Sequence, residues 1–244
     1  MTVASDAEIN LETIPAGALD FNIRFAPRAK SIYYNIPKAG CSSVLWTLTR
    51  YELDDAAIMP ERVGSIHRRE DSPILRGGDV DDLVSLLERD DVLRFTIVRN
   101  PFDRILSCYT NKIIRATPQR SRVLDELRLS EEAGVSLLAF LALVANQAPE
   151  QRDPHWATQD DLLFRGALPI DIIGRFENFD ADLAEIGKRI DPDFARFIYT
   201  ERRHGTGVKD YSLVGSAEAE LIREIYRADF TRLGYSRELP GETP

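Results

Sequence analysis

LRFTIVRNPFDRILS, residues 93–107, decides the fold of this chain. Leu93–Val98 is apolar and β-branched enough for a buried strand. Asn100 then offers a capping side chain, Pro101 suits a first helical position, and Asp103 lies where the helix dipole favours negative charge. Phe102, Leu106, Tyr109 and Ile113 recur at three- and four-residue steps, so they form one apolar stripe that faces inward. A strand passes directly into a helix.

The same grammar recurs on both sides. Ser31–Ile36 (SIYYNI) reads as a strand, and Val44, Leu45 and Leu48 stand at helical spacing in the Cys41–Tyr51 segment behind it. Asp171–Phe176 (DIIGRF) is a third strand, followed by a helical pattern over Leu183–Ile190. Strand-then-helix recurrence predicts an α/β fold with a central parallel β-sheet flanked by helices. Val135–Ala145 (VSLLAFLALVA) is too short to cross a membrane and reads as a buried helix. Ala217–Leu233 places Leu221, Ile225 and Phe230 near one face, with Tyr226 adjoining, and reads as an amphipathic closing helix. No repeat or low-complexity linker interrupts the pattern. Residues 1–18 are polar and weakly patterned, which predicts a flexible N-terminal arm. One domain is expected over 19–236, with a C-terminal tail at 237–244.

A length of 244 residues suffices for a large buried core. The hydrophobic fraction of 43% and charged fraction of 29% suit a globular chain. A net charge of −9 argues against general nucleic-acid binding, which needs excess cation. Any anion site must therefore be local. The two cysteines, Cys41 and Cys108, form neither a disulfide framework nor a metal-ligand spacing, and reduced thiols are expected. With no signal-peptide pattern at the N-terminus and no long apolar run, no membrane span and a cytoplasmic setting are expected.

Two segments occupy the carboxyl ends of strands, where open parallel sheets gather their ligands. In the first, Pro37-Lys38-Ala39-Gly40-Cys41-Ser42-Ser43, the start of a helix offers N–H groups and a favourable dipole end to an anion. Gly40 leaves room for close approach, Ser42 and Ser43 add hydroxyls, and Lys38 adds a mobile cation. The lysine precedes the only glycine, so this is not a nucleoside-triphosphatase loop. In the second segment, Arg104, Ser107 and Asn111 share a polar helix face, and Arg99 and Ser107 could converge on one phosphate. Read alone, each segment equally suits a well-capped strand–turn–helix corner.

Together, PKAGCSS and RNPFDRILS resemble the two signature segments of the sulfotransferases that use 3′-phosphoadenosine-5′-phosphosulfate (PAPS), specifically the carbohydrate (chondroitin-type) branch. Tyr109, Asn111 and Lys112 look like the continuation of the second segment. Further likenesses follow in order: His155-Trp156, the strand from Asp171 to Glu177, and Ile225–Phe230 with Tyr235. The resemblance spans roughly residues 31 to 236 and implies a P-loop-like sulfotransferase fold. The eukaryotic enzymes carry a membrane anchor and paired cysteines near the His-Trp pair, and neither is expected here; Leu162–Leu168 holds no cysteine.

What the resemblance implies is specific. Pro37, Lys38, Ala39, Gly40, Cys41, Ser42 and Ser43 would hold the 5′-phosphosulfate end of PAPS. Lys38 would stabilise charge on the oxygen between sulfur and phosphate. Arg99, Arg104 and Ser107 would hold the 3′-phosphate. No metal is implied. His67 would be the base for the acceptor hydroxyl, with His155 as competitor or acceptor-positioning group, and His204 would lie in a loop closing over the nucleotide. The basic run Lys112, Arg115, Arg120, Arg122 and Arg128 reads as a solvated face, or as a groove for an anionic sugar. The implied acceptor is a carbohydrate or small-molecule hydroxyl. A kinase-like phosphotransferase and a catalytically inactive nucleotide-binding module are the competing readings. Against the first stands the absence of a Gly-Lys-Ser/Thr ending.

Overall fold

A computed structural model describes residues 9–58, 65–67, 72–199 and 210–241. In chain order the regular elements are α1 (Ala16–Asn22), β1 (Ile23–Ala26), β2 (Ser31–Tyr34), α2 (Cys41–Glu52), β3 (Leu75–Arg76), α3 (Leu83–Glu88), β4 (Leu93–Val98), α4 (Pro101–Cys108), α5 (Pro118–Leu127), α6 (Leu137–Asn146), α7 (Gln159–Leu162), β5 (Ile172–Arg175), α8 (Phe179–Ile190), α9 (Ser216–Ile225) and α10 (Arg227–Arg232). The chain divides into two compact units, Met1–Val98 with Leu162–Thr206 and Arg99–Asp161 with Gly207–Pro244.

The first unit is α/β. Its five strands run in the order β3-β1-β2-β4-β5. The three strands expected from sequence, β2, β4 and β5, are parallel, with Tyr33 beside Phe95 and Phe95 beside Ile172. β2 is buried at every position, as a parallel strand covered on both faces must be. Two short strands extend the sheet with antiparallel pairing: β1 on β2, and β3 on β1. The sheet is therefore mixed, with a parallel centre. Val44, Leu45 and Leu48 of α2 share a core with Tyr33, Phe95 and Ile97 of the sheet and with Phe179, Leu183 and Ile186 of α8. Arg94 ties β4 to β5, because its guanidinium grips Asp171 at 2.8 Å through two nitrogens while its backbone N–H donates to the same carboxylate at 2.7 Å.

The described part of the expected N-terminal arm, residues 9–18, holds local structure. A 3-10 turn forms at Leu11–Thr13, and α1 begins at Ala16 and packs on the turn at Gly77, where a Cβ would stand 2.6 Å from the Leu19 carbonyl oxygen.

The second unit is helical. α4 continues into a π-helical turn, Tyr109–Ile113. Its stripe of Phe102, Leu106, Tyr109 and Ile113 is buried as expected, in a core with Phe140, Leu141 and Val144 of α6, Ile222 of α9 and Phe230 of α10. The closing helix is broken at Tyr226. Its ring is buried and its hydroxyl donates to the Trp156 carbonyl at 2.7 Å, so the chain turns there into α10. Leu239, in the expected C-terminal tail, is buried in the same core at 6% exposure.

Candidate functional site

In the first unit the site residues stand where β2 gives way to α2. Lys38 has φ 71 and Gly40 φ 85, so the chain turns through two left-handed residues separated by the fully buried Ala39. Turns of this type point successive N–H groups to one side and form anion-binding concavities. α2 begins immediately after, and the N–H groups of Ser43 and Val44 return to the Gly40 carbonyl at 2.9 and 3.1 Å. The Ser43 N–H, expected at a phosphate, is thus spent inside the helix. Gly40 also has a packing task. A Cβ there would meet Phe179 at 2.5 Å and Phe176 at 3.1 Å, so the missing side chain lets the turn press on these two rings. Burial pushes the Cys41 thiol up, against the charge of Lys38, and keeps it protonated at neutral pH.

His67 joins this corner. It lies on a 3-10 turn, Ser65–His67, and its Nε2 stands 3.1 Å from Ser42 Oγ. Arg76 donates to the His67 carbonyl at 2.6 Å and itself pairs with Asp20 at 3.5 Å, which anchors the turn. Two groups that the sequence separates by 25 positions are thereby brought together.

The second unit holds Arg99, Arg104, Ser107 and His155. Arg99 and Ser107 are buried at 5% and 6% exposure. The Arg99 backbone is clasped by the Gln159 side chain, which accepts from its N–H and donates to its carbonyl, both at 2.8 Å. Asp229 in turn accepts the N–H groups of Gln159 (2.9 Å) and Asp160 (2.8 Å) at the start of α7. Burial raises the Asp229 carboxyl to about 6, against the charge of Arg104 and these N–H donors.

Arg104, expected at the 3′-phosphate, is buried and bonded to backbone carbonyls. At 1% exposure, its guanidinium donates to the carbonyls of Ala157 (2.6 Å) and Pro154 (3.0 Å), so it braces the segment that carries His155. The His155 ring presents Nδ1 to Asp153 at 2.6 Å, and Arg122 closes on the same carboxylate. Trp156 is a core residue, edge-on to Phe140 and donating to Gln147 at 3.0 Å. Of the basic run, Arg120 serves the carbonyls of Ile113 and Ala133, and Arg122 serves Asp153, while Arg115 and Arg128 are exposed. His204 lies outside the described residues.

Asp153 and Gln159 escaped the sequence reading. Asp153 had a signal: an Asp two residues before the His, through Pro154, suits a side chain that turns back on a backbone N–H, and the His155 N–H does donate to it at 3.0 Å. Gln159 had none, since its partners are 60 and 70 residues away.

Among the described residues no cluster of His, Cys, Asp and Glu could hold a metal, and no helix is long and apolar enough to cross a membrane.

A model of the sulfotransferase family matches residues 21–236. Carbohydrate sulfotransferase 14 of Danio rerio is 23% identical over 229 residues, covering 87% of this chain and 61% of that protein. Its Homo sapiens counterpart is 25% identical over 174 residues, covering 68% and 45%. Carbohydrate sulfotransferase 9 of Homo sapiens is 23% identical over 231 residues, covering 85% and 51%. The chain thus spans about half the length of the curated relatives it matches. No solved structure matches it.

Proposed function

The chain belongs to the sulfotransferase family, and from that premise we propose that it moves a sulfuryl group from PAPS to a hydroxyl of a carbohydrate or small-molecule acceptor. The observation that carries this reading is the corner at 37–43. Two left-handed residues, a lysine and the start of a twelve-residue helix meet there, with His67 on Ser42. Such a corner fits a phosphate bearing a group in transfer.

PAPS supplies a sulfur already bonded to a phosphate leaving group. Lys38 offsets the negative charge that builds on the bridging oxygen, and the first turn of α2 holds the 5′-phosphate. Arg99 and Ser107 take the 3′-phosphate, with Gln159 and Asp229 fixing the Arg99 backbone. Arg104 belongs to the same proposed set, and two of its N–H groups also donate to the Ala157 and Pro154 carbonyls. The acceptor's proton goes to a histidine. His67 is tied to the donor corner through Ser42, and His155 to a buried carboxylate. The names of the relatives support a carbohydrate as acceptor. A cytoplasmic setting belongs to the same reading, and neither Cys41 nor Cys108 is in a disulfide.

The test is transfer of labelled sulfate from PAPS to a panel of oligosaccharides and small alcohols. Label should appear on a hydroxyl. In parallel, 3′,5′-adenosine bisphosphate should raise the melting temperature, whereas ADP–magnesium and ATP–magnesium should not. Stabilisation by the magnesium nucleotides alone would turn the reading to a phosphotransferase. Bisphosphate binding with no transfer to any acceptor would leave a nucleotide-binding module.

A further inference from the structure

Arg24 is a buried cation that forms no ion pair among the described residues. It lies in β1, opposite Tyr33 of β2 and Arg76 of β3. Residues directly opposite in paired strands share a face of the sheet. Tyr33 packs with Val44 and Leu45, so that face is the one α2 covers. Arg24 is 6% exposed and Tyr33 fully buried. Among the described residues the hydrogen bonds of Arg24 all leave from Nη1, to the Asp20 carbonyl at 2.6 Å and the Ile23 carbonyl at 3.2 Å. The Asp20 carboxylate pairs instead with Arg76, 3.5 Å from its Nη1.

A second group at the same place lacks a partner. The Tyr33 hydroxyl is buried without a hydrogen bond. Burial pushes it well up, and Cys41, the Ile36 N–H and Arg24 are the neighbours that act on it. Cys41 is the first residue of α2, so these donors gather beneath the strand-to-helix turn. A charge taken out of water is costly unless something offsets it. Two arginines, one carboxylate and an idle hydroxyl leave a surplus of positive charge on the inner side of the corner. Burial and then the charge of Arg76 press the Arg24 guanidinium down to about 10, against Asp20, so it stays charged at neutral pH.

We infer that Arg24 is a second cation of the donor corner, a positioning residue whose buried charge adds to the pull of Lys38 and the helix start on an anion at the first turn of α2. The identity of that anion, the phosphosulfate end of PAPS, rests on the sulfuryl-transfer reading above. Arg24 acts through its field and not by touching the donor, because a buried charge is weakly screened. A scaffold role at the Asp20 and Ile23 carbonyls would need only a hydrogen-bond donor and not the charge.

The experiment is calorimetric titration of the full chain with inorganic pyrophosphate, a small linked pair of anions. The parent is compared with Arg24→Gln, Arg24→Lys, Asp20→Asn, Lys30→Gln and Lys38→Ala. Arg24→Gln should bind about tenfold more weakly, and Arg24→Lys should stay within about threefold of the parent. Asp20→Asn removes the opposing charge and should bind about threefold more tightly, a gain that no loss of scaffold would produce. Lys30→Gln removes the same charge from an exposed pair with Asp91 and should change affinity by less than about twofold. Lys38→Ala should weaken binding, which assigns the titrated site to this corner. An Arg24→Gln affinity within about twofold of the parent would overturn the inference. So would weaker binding by Asp20→Asn, or an Arg24→Lys that falls as far as Arg24→Gln. Binding untouched by Lys38→Ala would place the anion elsewhere and overturn it too. Should Arg24→Gln fail to fold, Asp20→Asn decides by the sign of its effect. Pyrophosphate binding is read without turnover. The expected affinities in a chain that transfers sulfate to no acceptor would therefore count against the sulfuryl-transfer reading alone, and transfer by a chain whose affinity ignores Arg24 would count against this inference alone.

Discussion

Lys38 occupies a backbone conformation that a residue with a Cβ enters at a cost of about 1–2 kcal/mol, and its φ of 71 places it there on the strand-to-helix turn. Strain kept at a lysine beside a helix start suggests selection for the ammonium group and not for stability. The comparison that isolates this is Lys38→Gly against Lys38→Ala. Both remove the charge, but only alanine retains the strain, so the glycine variant should be more stable by about 1 kcal/mol. Neither should transfer sulfate. Equal melting temperatures, or residual turnover in either, would contradict this account. Gly40, two residues on, behaves oppositely. Gly40→Ala adds a left-handed alanine and drives its Cβ into the Phe179 ring, 2% exposed and with little room to yield. A loss of about 3 kcal/mol is expected by denaturant titration, which follows from overpacking together with backbone strain.

At the scale of elements, what could be read from sequence was whatever carried its own signal. β2, β4 and β5 announced themselves as apolar runs before helical patterns, and α4 through its capping residues. β1 and β3 did not, because the four residues of β1 include the buried Arg24 and β3 has only two residues. Their pairing is supplied by neighbours and not by any pattern of their own. The break at Tyr226 was hidden for a similar reason, since helical spacing runs straight through it and the turn depends on a hydroxyl reaching the distant Trp156 carbonyl. The site shows the same division. Pro37–Ser43 and Arg99–Ser107 were visible as segments, while the hold on Arg99 by Gln159, and the bracing task of Arg104, exist only once the chain is folded. The Arg94–Asp171 clasp is another such tertiary link, and its loss should be felt in the sheet. Asp171→Asn leaves Arg94, at 14% side-chain exposure, facing an amide in place of a carboxylate. A destabilisation of about 1–3 kcal/mol is expected, read from the fluorescence of Trp46 during unfolding. Unchanged stability would mean that the paired backbone alone holds β5.

For the molecule as a whole, the decisive variable is pH. A chain with net charge −9 loses self-repulsion as acid neutralises its carboxylates. Two buried acids of the second unit shape the profile beyond that general effect, and with opposite signs. Asp229 has its folded pKa raised from 3.8 to about 6 by burial, so the folded chain binds that proton more tightly than the unfolded chain does. Its contribution to stability therefore grows as pH falls from about 6 to 4 and disappears as pH climbs back through the folded value. Asp153 is held at about 2, chiefly by His155 and Arg122 against the opposing pull of burial. Its contribution is present above the ordinary carboxylate range and is lost as pH falls from about 4 to 2. Each effect is on the order of 2–3 kcal/mol. The second unit should accordingly be most stable near pH 4–5, and weaken on either side. The chain has two tryptophans, so a Trp46→Phe background leaves Trp156, buried in the second core, as the reporter of this unit. Urea titrations at a series of pH values should show the rise from pH 6 to 4 vanish in Asp229→Asn and the fall below 4 shrink in Asp153→Asn. A rise that survives in Asp229→Asn would assign it to the general relief of charge and remove Asp229 from the account.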